Sequence, residues 1–153
     1  EVILALVALP KVVGIKEGSW EVARYEENRR LVRQAAPHVA VMASGDEHLL
    51  TSFVLGTEGS IVSLAALIPK VVVALYEAIQ RSDLQAAQTA HNIVYPLSRV
   101  IYGRNPKSHA TARLKTCLKL TGNLESDRAR PPLGELAKEE VKTLQGAIQQ
   151  AGL

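Results

Sequence analysis

A lysine closes the short apolar run at residues 12–16 and is followed at once by Glu17, Gly18 and Ser19. A charged amine is costly to place at the end of a buried strand, because burial favours the neutral form of a lysine. A neutral amine attacks carbonyl carbon, which makes Lys16 a candidate nucleophile for covalent catalysis. Alternatively, Lys16 starts a loop and its long side chain reaches water. The local pattern leaves both interpretations open.

Polar side chains also accompany the next two apolar runs. Residues 44–47 read Ser-Gly-Asp-Glu directly after the run at 39–43, and Ser63 belongs to the run that follows. Asp46 and Glu47 are adjacent carboxylates, which are good hydrogen-bond acceptors. Such a pair can also start a helix, as an N-cap with an acidic first turn.

Three apolar runs alternate with helical patterns in the first half of the chain. The run at residues 12–16 is typical of a parallel strand buried on both faces, and two further apolar strands are predicted at residues 39–43 and 59–64. The predicted helices lie at residues 20–36 with Ser19 as N-cap, at 48–55, and from near Pro69 onward. This order predicts an α/β fold with a parallel sheet and right-handed crossovers.

The second half of the chain carries no strand signal. Helical spacing continues at residues 83–102, 108–121 and 138–151. Prolines at Asn105-Pro106 and in the segment 130–132 interrupt it. We therefore expect an all-helical extension from residue 82 to residue 153.

Composition excludes several classes of function. The 153 residues are 47% hydrophobic and carry a net charge of +3, with basic and acidic residues interleaved, so we expect no nucleic-acid partner. No apolar run is long enough to span a bilayer. The single cysteine, Cys117, predicts a reducing, cytoplasmic location and a small core residue. The four histidines lack metal-ligand spacing and no glycine-rich phosphate loop occurs, so we expect neither a metal nor a cofactor.

Two features indicate that a larger fold surrounds this sequence. Residues 2–9 form an apolar stretch without a basic flank, which is untypical of a signal peptide and resembles the inner end of a helix from a longer chain. Three strands also make too small a parallel sheet, with both edges exposed. The strands therefore belong either to an oligomer or to a larger sheet or barrel.

Several short motifs together resemble one known family. In chain order they are Val-Gly-Ile-Lys-Glu-Gly at 13–18, Ser-Gly-Asp at 44–46, Gly-Thr-Glu-Gly-Ser-Ile at 56–61, Pro69, Lys115, Gly122 and Arg-Pro-Pro-Leu at 130–133. Their order and spacing resemble the C-terminal half of the dihydrodipicolinate synthase and N-acetylneuraminate lyase family. The resemblance implies a (β/α)8 TIM barrel, with residues 1–81 forming strands six to eight and their helices, and residues 82–153 forming the helical extension. The N-terminal half of such a barrel has no counterpart here.

The resemblance also implies a site. Lys16 would form a Schiff base with pyruvate or another 2-oxo acid, and Gly45 and Ile61 would line the pocket. The sialic acid lyase branch holds sugar hydroxyls with an acidic pair and a serine, which correspond to Asp46, Glu47 and Ser63. All of them would lie near the carboxyl ends of barrel strands, where the chemistry of this fold takes place.

The expected function is therefore part of a Schiff-base lyase or aldolase, with an aldehyde or a sugar acid as a further possible substrate. The family's hydroxyl residues for the 2-oxo acid carboxylate and its proton-relaying tyrosine lie in the absent half, so the isolated chain should be inactive. Two alternatives stay open: a non-enzymatic relative that binds a small acid or serves as a scaffold, and a fragment that acts in oligomer assembly. The family's assembly as oligomers implies a homodimer or a tetramer.

Overall fold

The computed structural model describes residues 2–153, which divide into two compact units. The first unit extends to Val62 and contains the sheet, and the second begins at Ser63 and is helical. The boundary expected after residue 81 separates barrel from extension rather than compact units, and it stays a prediction.

Helices and short strands alternate through the first unit, as the sequence predicts. In chain order they are α1 (Val2–Val7), β1 (Gly14–Lys16), α2 (Val22–Ala35), β2 (Ala40–Ala43), α3 (Leu49–Leu55) and β3 (Gly59–Ser60). Both strand pairs are parallel and the strand order is β1-β2-β3. The predicted α/β class with three parallel strands is confirmed.

The register of the sheet brings the strand ends to one edge. Lys16 of β1 lies opposite Met42 of β2, and Ala43 lies opposite Ser60 of β3. The third strand is much shorter than the predicted run at 59–64, because the chain turns after Ser60 and a 3-10 helix begins at Ser63. Of the apolar residues in the rest of that run, Leu64 is buried and Ile61 is exposed.

The hydroxyl of Thr57 joins β2 to the start of β3. Its Oγ1 accepts a hydrogen bond from the Ala43 amide at 3.1 Å and lies 2.8 Å from the Val41 carbonyl oxygen, to which it can donate its proton. Thr57 is buried, so these groups would otherwise lose hydrogen bonds to water without replacement. The Thr57 side chain thus forms hydrogen bonds to β2 that the two-residue strand β3 is too short to form.

The second unit is a helical bundle around a continuous apolar core. Its helices are α4 (Pro69–Gln80), α5 (Leu84–Ile101), α6 (Ala110–Leu120) and α7 (Lys138–Gln150), with 3-10 helices at Ser63–Ala66 and Lys107–His109. The central helix α5 packs against α4, α6 and α7. No helix among residues 2–153 is long and apolar enough to cross a bilayer.

A fully buried arginine ties three helices of this bundle together. The Nε of Arg113, on α6, lies 2.5 Å from Oε1 of Glu140, on α7. The rest of its guanidinium donates to the carbonyls of Ile101, Arg104 and Asn105, at the end of α5 and just beyond it. The side chain thereby satisfies carbonyls that a helix end leaves without partners, and its charge suits that end of the helix dipole.

The lone cysteine is a buried core residue of α6, as the sequence predicts. Burial raises the pKa of the Cys117 thiol from 9.0 to about 12. An unfolded chain releases this proton near pH 9, whereas the folded chain keeps it. The stabilising contribution of the neutral thiol is therefore complete below pH 9 and is lost as the pH rises toward 12.

As the pH rises from 9 to 11, we expect the urea concentration at the unfolding midpoint to decrease. The free energy of unfolding should drop by up to about 1.4 kcal/mol for each pH unit. Cys117→Ala should lower stability at pH 7 and show a shallower decline over the same range. Urea titrations followed by circular dichroism at several pH values measure both slopes. Equal slopes in the two proteins would contradict the assignment to Cys117.

Candidate active site

Lys16 is the last residue of β1 and therefore lies at the carboxyl edge of the sheet. The amide of Glu17 donates to the Met42 carbonyl at 3.0 Å, which carries the ladder one residue beyond the lysine. At the same edge, the amide of Ile61 donates to the Ala43 carbonyl at 3.0 Å. The sheet therefore aligns Lys16 with the turn that follows β2 and with the residue that follows β3.

The expectation that β1 is buried on both faces is wrong. Lys16 is exposed and the Val13 side chain is 74% exposed. The edge of β1 is open as well, since β1 pairs with β2 alone among the described strands. Residues 2–153 thus do not supply the burial that would favour a neutral amine at Lys16.

The turn after β2 is more enclosed than the lysine. Ser44, Gly45 and Asp46 are buried, with Asp46 only 3% exposed, and Glu47 is half-buried. Gly45 has a φ of +80°, a left-handed conformation in which a side chain would be strained. This turn directs the chain from β2 toward α3.

The interpretation of Asp46 and Glu47 as a helix start is wrong. Helix α3 begins at Leu49 with His48 as its N-cap, and its first turn contains no acidic residue. The two carboxylates precede the helix because they lie inside a turn over residues 45–48, in which the His48 amide donates to the Gly45 carbonyl at 2.8 Å. Asp46 and Glu47 therefore lie before the N-cap of α3 rather than in its first turn.

The two remaining predicted residues differ in their surroundings. The Ile61 side chain is 52% exposed, and its amide is committed to the sheet, so its carbonyl is the backbone group left for a ligand. Ser63 is the first residue of the second unit, where it is exposed and starts a 3-10 helix. The first unit thus brings together Lys16, Ile61 and the turn at 44–47.

The buried carboxylate of Glu17 is absent from the predicted set. Its Oε2 accepts from the Ser19 hydroxyl at 3.0 Å, and its Oε1 accepts from the Asn28 amide group at 3.0 Å and from the Ser19 backbone amide at 3.2 Å. The strand period could have identified it, since the residue after an outward lysine points to the opposite face. An acid at an inward position requires partners of this kind.

The loop between Lys16 and α2 also departs from prediction. Helix α2 begins at Val22, with Glu21 as its N-cap, rather than at Trp20 with Ser19 as N-cap. Trp20 has a φ of 64°, which a helix does not accommodate, and its side chain is 45% exposed. The Ser19 hydroxyl binds Glu17 instead of a helix terminus.

A buried tyrosine closes the inner side of this loop. The Tyr25 hydroxyl donates to the Gly56 carbonyl at 2.7 Å, and burial raises the pKa of Tyr25 above its usual value. The gap among Tyr25, Glu17 and Ser44 has a volume of about 10 Å³. That space holds about one water molecule and is too small for a three-carbon acid.

Two larger cavities belong to the second unit. One is an open surface groove of about 610 Å³ between α4 and α5, and the other, of about 400 Å³, lies beside α6 and α7. Neither is lined by a predicted site residue. Among residues 2–153, His, Cys, Asp and Glu form no group of three or more that could hold a metal ion.

Known proteins with similar sequences and structures place this strand-end arrangement in context. The model of the dihydrodipicolinate synthetase family matches residues 1–151. The chain is 28% identical over 145 residues to a 4-hydroxy-tetrahydrodipicolinate synthase of Thermodesulfovibrio yellowstonii, covering 94% of this chain and 47% of that protein. It is also 28% identical over 142 residues to an N-acetylneuraminate lyase of Mediterraneibacter gnavus, covering 92% and 43%.

A solved structure agrees with this comparison. YagE of Escherichia coli K12, a dihydrodipicolinic acid synthase family protein solved in complex with pyruvate, superposes with a TM-score of 0.84 and 26% identity. The match covers 98% of this chain and 51% of YagE. The chain spans about half the length of the relatives it matches. The resemblance in the sequence is thus confirmed, and the chain belongs to the dihydrodipicolinate synthetase family.

Proposed function

We propose that this chain carries the Schiff-base lysine of a lyase or aldolase that acts on pyruvate or another 2-oxo acid, and that Lys16 is that lysine. The observation that carries the proposal is the position of Lys16 at the carboxyl end of a parallel strand in a member of this family. YagE, a relative of similar fold, was solved with pyruvate. Catalytic groups in barrel folds lie at this end of the strands.

The proposed step forms a carbon-nitrogen bond and releases water. The neutral Lys16 amine adds to the ketone carbon of the 2-oxo acid, and loss of the oxygen as water leaves an iminium. The cationic iminium accepts the electron pair of the neighbouring carbon, so a carbon-carbon bond can form or break there. Because the amine must be neutral to attack, the active form needs burial of Lys16 that residues 2–153 do not provide.

That requirement supports a second part of the proposal, in which the chain acts as strands six to eight of a TIM barrel. The outer strand β1 has one open edge, and large apolar residues that precede it in the chain are exposed, among them Val13 at 74% and Leu9 at 52%. An exposed apolar patch of this kind indicates a surface that another part of a protein covers. Covering it would bury Lys16 as well as the strand edge.

The other carried-over residues have proposed roles in substrate binding. The buried turn at Gly45 and Asp46 and the half-buried Glu47 offer oxygen acceptors for hydroxyls of a sugar acid or of an aldehyde partner. By the family resemblance, Ile61 and Ser63 are further candidates for substrate contacts. Assembly as a dimer or a tetramer and a cytoplasmic location belong to the same proposal.

Reduction with borohydride tests the proposal directly. The protein, at the length its gene encodes, is incubated with pyruvate and sodium borohydride, which adds hydride to an iminium and makes the bond permanent. We expect a mass gain of one pyruvic acid less one oxygen atom, located by peptide mass spectrometry on Lys16. An adduct on another lysine, or none with any 2-oxo acid, would contradict the proposal.

The exposure of Lys16 also favours a non-enzymatic alternative. A covalent site encloses the reacting groups away from water, and residues 2–153 do not enclose Lys16. A relative of this kind would bind the acid reversibly, through charge and hydrogen bonds alone. Calorimetry that detects pyruvate binding, combined with no adduct after borohydride, would favour this alternative.

A further inference from the structure

The exposed side chain of Lys16 raises the question of what holds it in place. A long amine with little contact around it samples many rotamers, yet attack on a ketone requires a narrow range of positions. Packing within residues 2–153 does not restrain this side chain, which is exposed. Within residues 2–153, the restraint that the structure offers acts on the backbone on either side of the lysine.

On one side, ordinary strand pairing supplies that restraint. Ile15 lies opposite Val41 in the parallel ladder, and the ladder continues through the Glu17 amide to the Met42 carbonyl at 3.0 Å. Beyond Glu17 the strand ends and the chain enters the loop that contains Trp20 with its positive φ. A strand end of this type frays unless something fastens it.

The carboxylate of Glu17 holds the end of β1 in place through hydrogen bonds. It is 8% exposed and receives hydrogen bonds from two different elements: Ser19 in the loop, through its backbone amide and its hydroxyl, and Asn28 in α2. Hydrogen bonds to a charged acceptor are stronger than neutral ones, and breaking them would leave a buried charge without partners. Residue 17 is therefore fixed both to the sheet and to the helix behind it.

We infer that Glu17 is a positioning residue for Lys16: its buried carboxylate, clamped by Ser19 and Asn28, holds the end of β1 so that the Lys16 amine reaches the 2-oxo acid in a productive orientation. The role of Glu17 rests on the proposed function of Lys16. A positioning residue of this kind alters how often the bound acid is attacked more than how tightly the acid binds.

The test compares three variants by the rate of borohydride trapping at a series of pyruvate concentrations. Glu17→Ala should slow trapping at saturating pyruvate by about tenfold or more, with a smaller change in the half-saturating concentration. Glu17→Gln keeps an acceptor oxygen for Ser19 or Asn28 and should stay within about threefold of the parent protein. Asn28→Ala removes one of the two anchoring elements at a helical site that tolerates alanine, and should give an intermediate rate.

Glu58 provides a matched control in the same unit. Its carboxylate likewise accepts from a backbone amide, that of Val41 at 2.8 Å, but it precedes β3 and so lies at the amino end of the strands. Glu58→Ala should trap pyruvate at the parent rate at temperatures where it is folded.

The outcomes distinguish the positioning role of Glu17 from the proposed Schiff-base function of Lys16. An adduct in the parent protein with an unchanged trapping rate in folded Glu17→Ala, or in Asn28→Ala if the first variant does not fold, would overturn the role of Glu17 alone. Equal slowing in Glu58→Ala would also overturn it, because the effect would then reflect general destabilisation. The absence of any adduct in the parent protein would instead overturn the proposed function.

Discussion

Lys16→Ala is expected to abolish the pyruvate adduct while leaving the protein folded. The side chain is exposed at a strand end, so its truncation removes little packing and costs little stability. Its amine, however, is the atom that forms the bond to the ketone carbon, and no neighbouring group replaces it in that step. The expected loss is complete rather than partial, and mass spectrometry after borohydride treatment measures it.

Two further variants make this result specific. Lys16→Arg keeps the positive charge but has no nucleophilic amine at neutral pH, so it too should form no adduct. Lys11→Ala removes another exposed lysine of the same unit, placed before β1 rather than at its end, and should form the adduct at the parent rate. Trapping that survives in Lys16→Ala, with the adduct on a different lysine, would show that the family motif identifies the wrong amine.

The order of the elements could be predicted because it depends on local signals. Apolar runs separated by amphipathic helices predict a parallel sheet, and the strands β1, β2 and β3 all lie within the predicted runs. Pro69 is the first residue of α4, as its fixed φ favours. Predictions of this kind succeed where one stretch of chain contains its own determinants.

The ends of the elements depended on contacts that local patterns do not reveal. The run at 59–64 contains only two strand residues, since the Thr57 hydroxyl replaces part of the ladder and the chain then turns. Trp20 was expected inside a helix, but the Glu17 carboxylate accepts a hydrogen bond from the Ser19 backbone amide at 3.2 Å and the chain forms a loop first. In both cases a side chain bound the backbone at a place where propensity favours regular structure.

The exposure of Lys16 shows a different limit of prediction from sequence, which concerns burial. Apolar composition predicts that β1 prefers burial, but whether it is buried depends on what lies against its open edge. Val13 and Ile15 have strand-core character, yet Val13 is 74% exposed in residues 2–153. The same composition is explained if family relatives of about twice this length place further strands at that edge. The sequence thus predicted the preference of the strand and its need for further covering, but not the exposure of Lys16 within residues 2–153.

Arg113→Met is expected to destabilise the helical unit by about 3–5 kcal/mol, the cost of breaking a buried ion pair by removing one partner. Methionine matches the length of the arginine stem, so the change removes charge and hydrogen bonds more than packing. It leaves the Glu140 carboxylate without its cation. It also leaves three backbone carbonyls without their donor, those of Ile101, Arg104 and Asn105. Urea denaturation followed by circular dichroism measures the loss.

Arg81→Met is the control for this change, because Arg81 forms an ion pair of the opposite character in the same unit. Its guanidinium lies 3.8 Å from Glu77 and is 62% exposed, so water already competes for the charge and the pair contributes at most about 0.5 kcal/mol. Arg113→Lys should fall between the two, since an ammonium restores the charge but reaches fewer of the four acceptors. If Arg113→Met were no less stable than Arg81→Met, the arginine would not be what joins α5, α6 and α7.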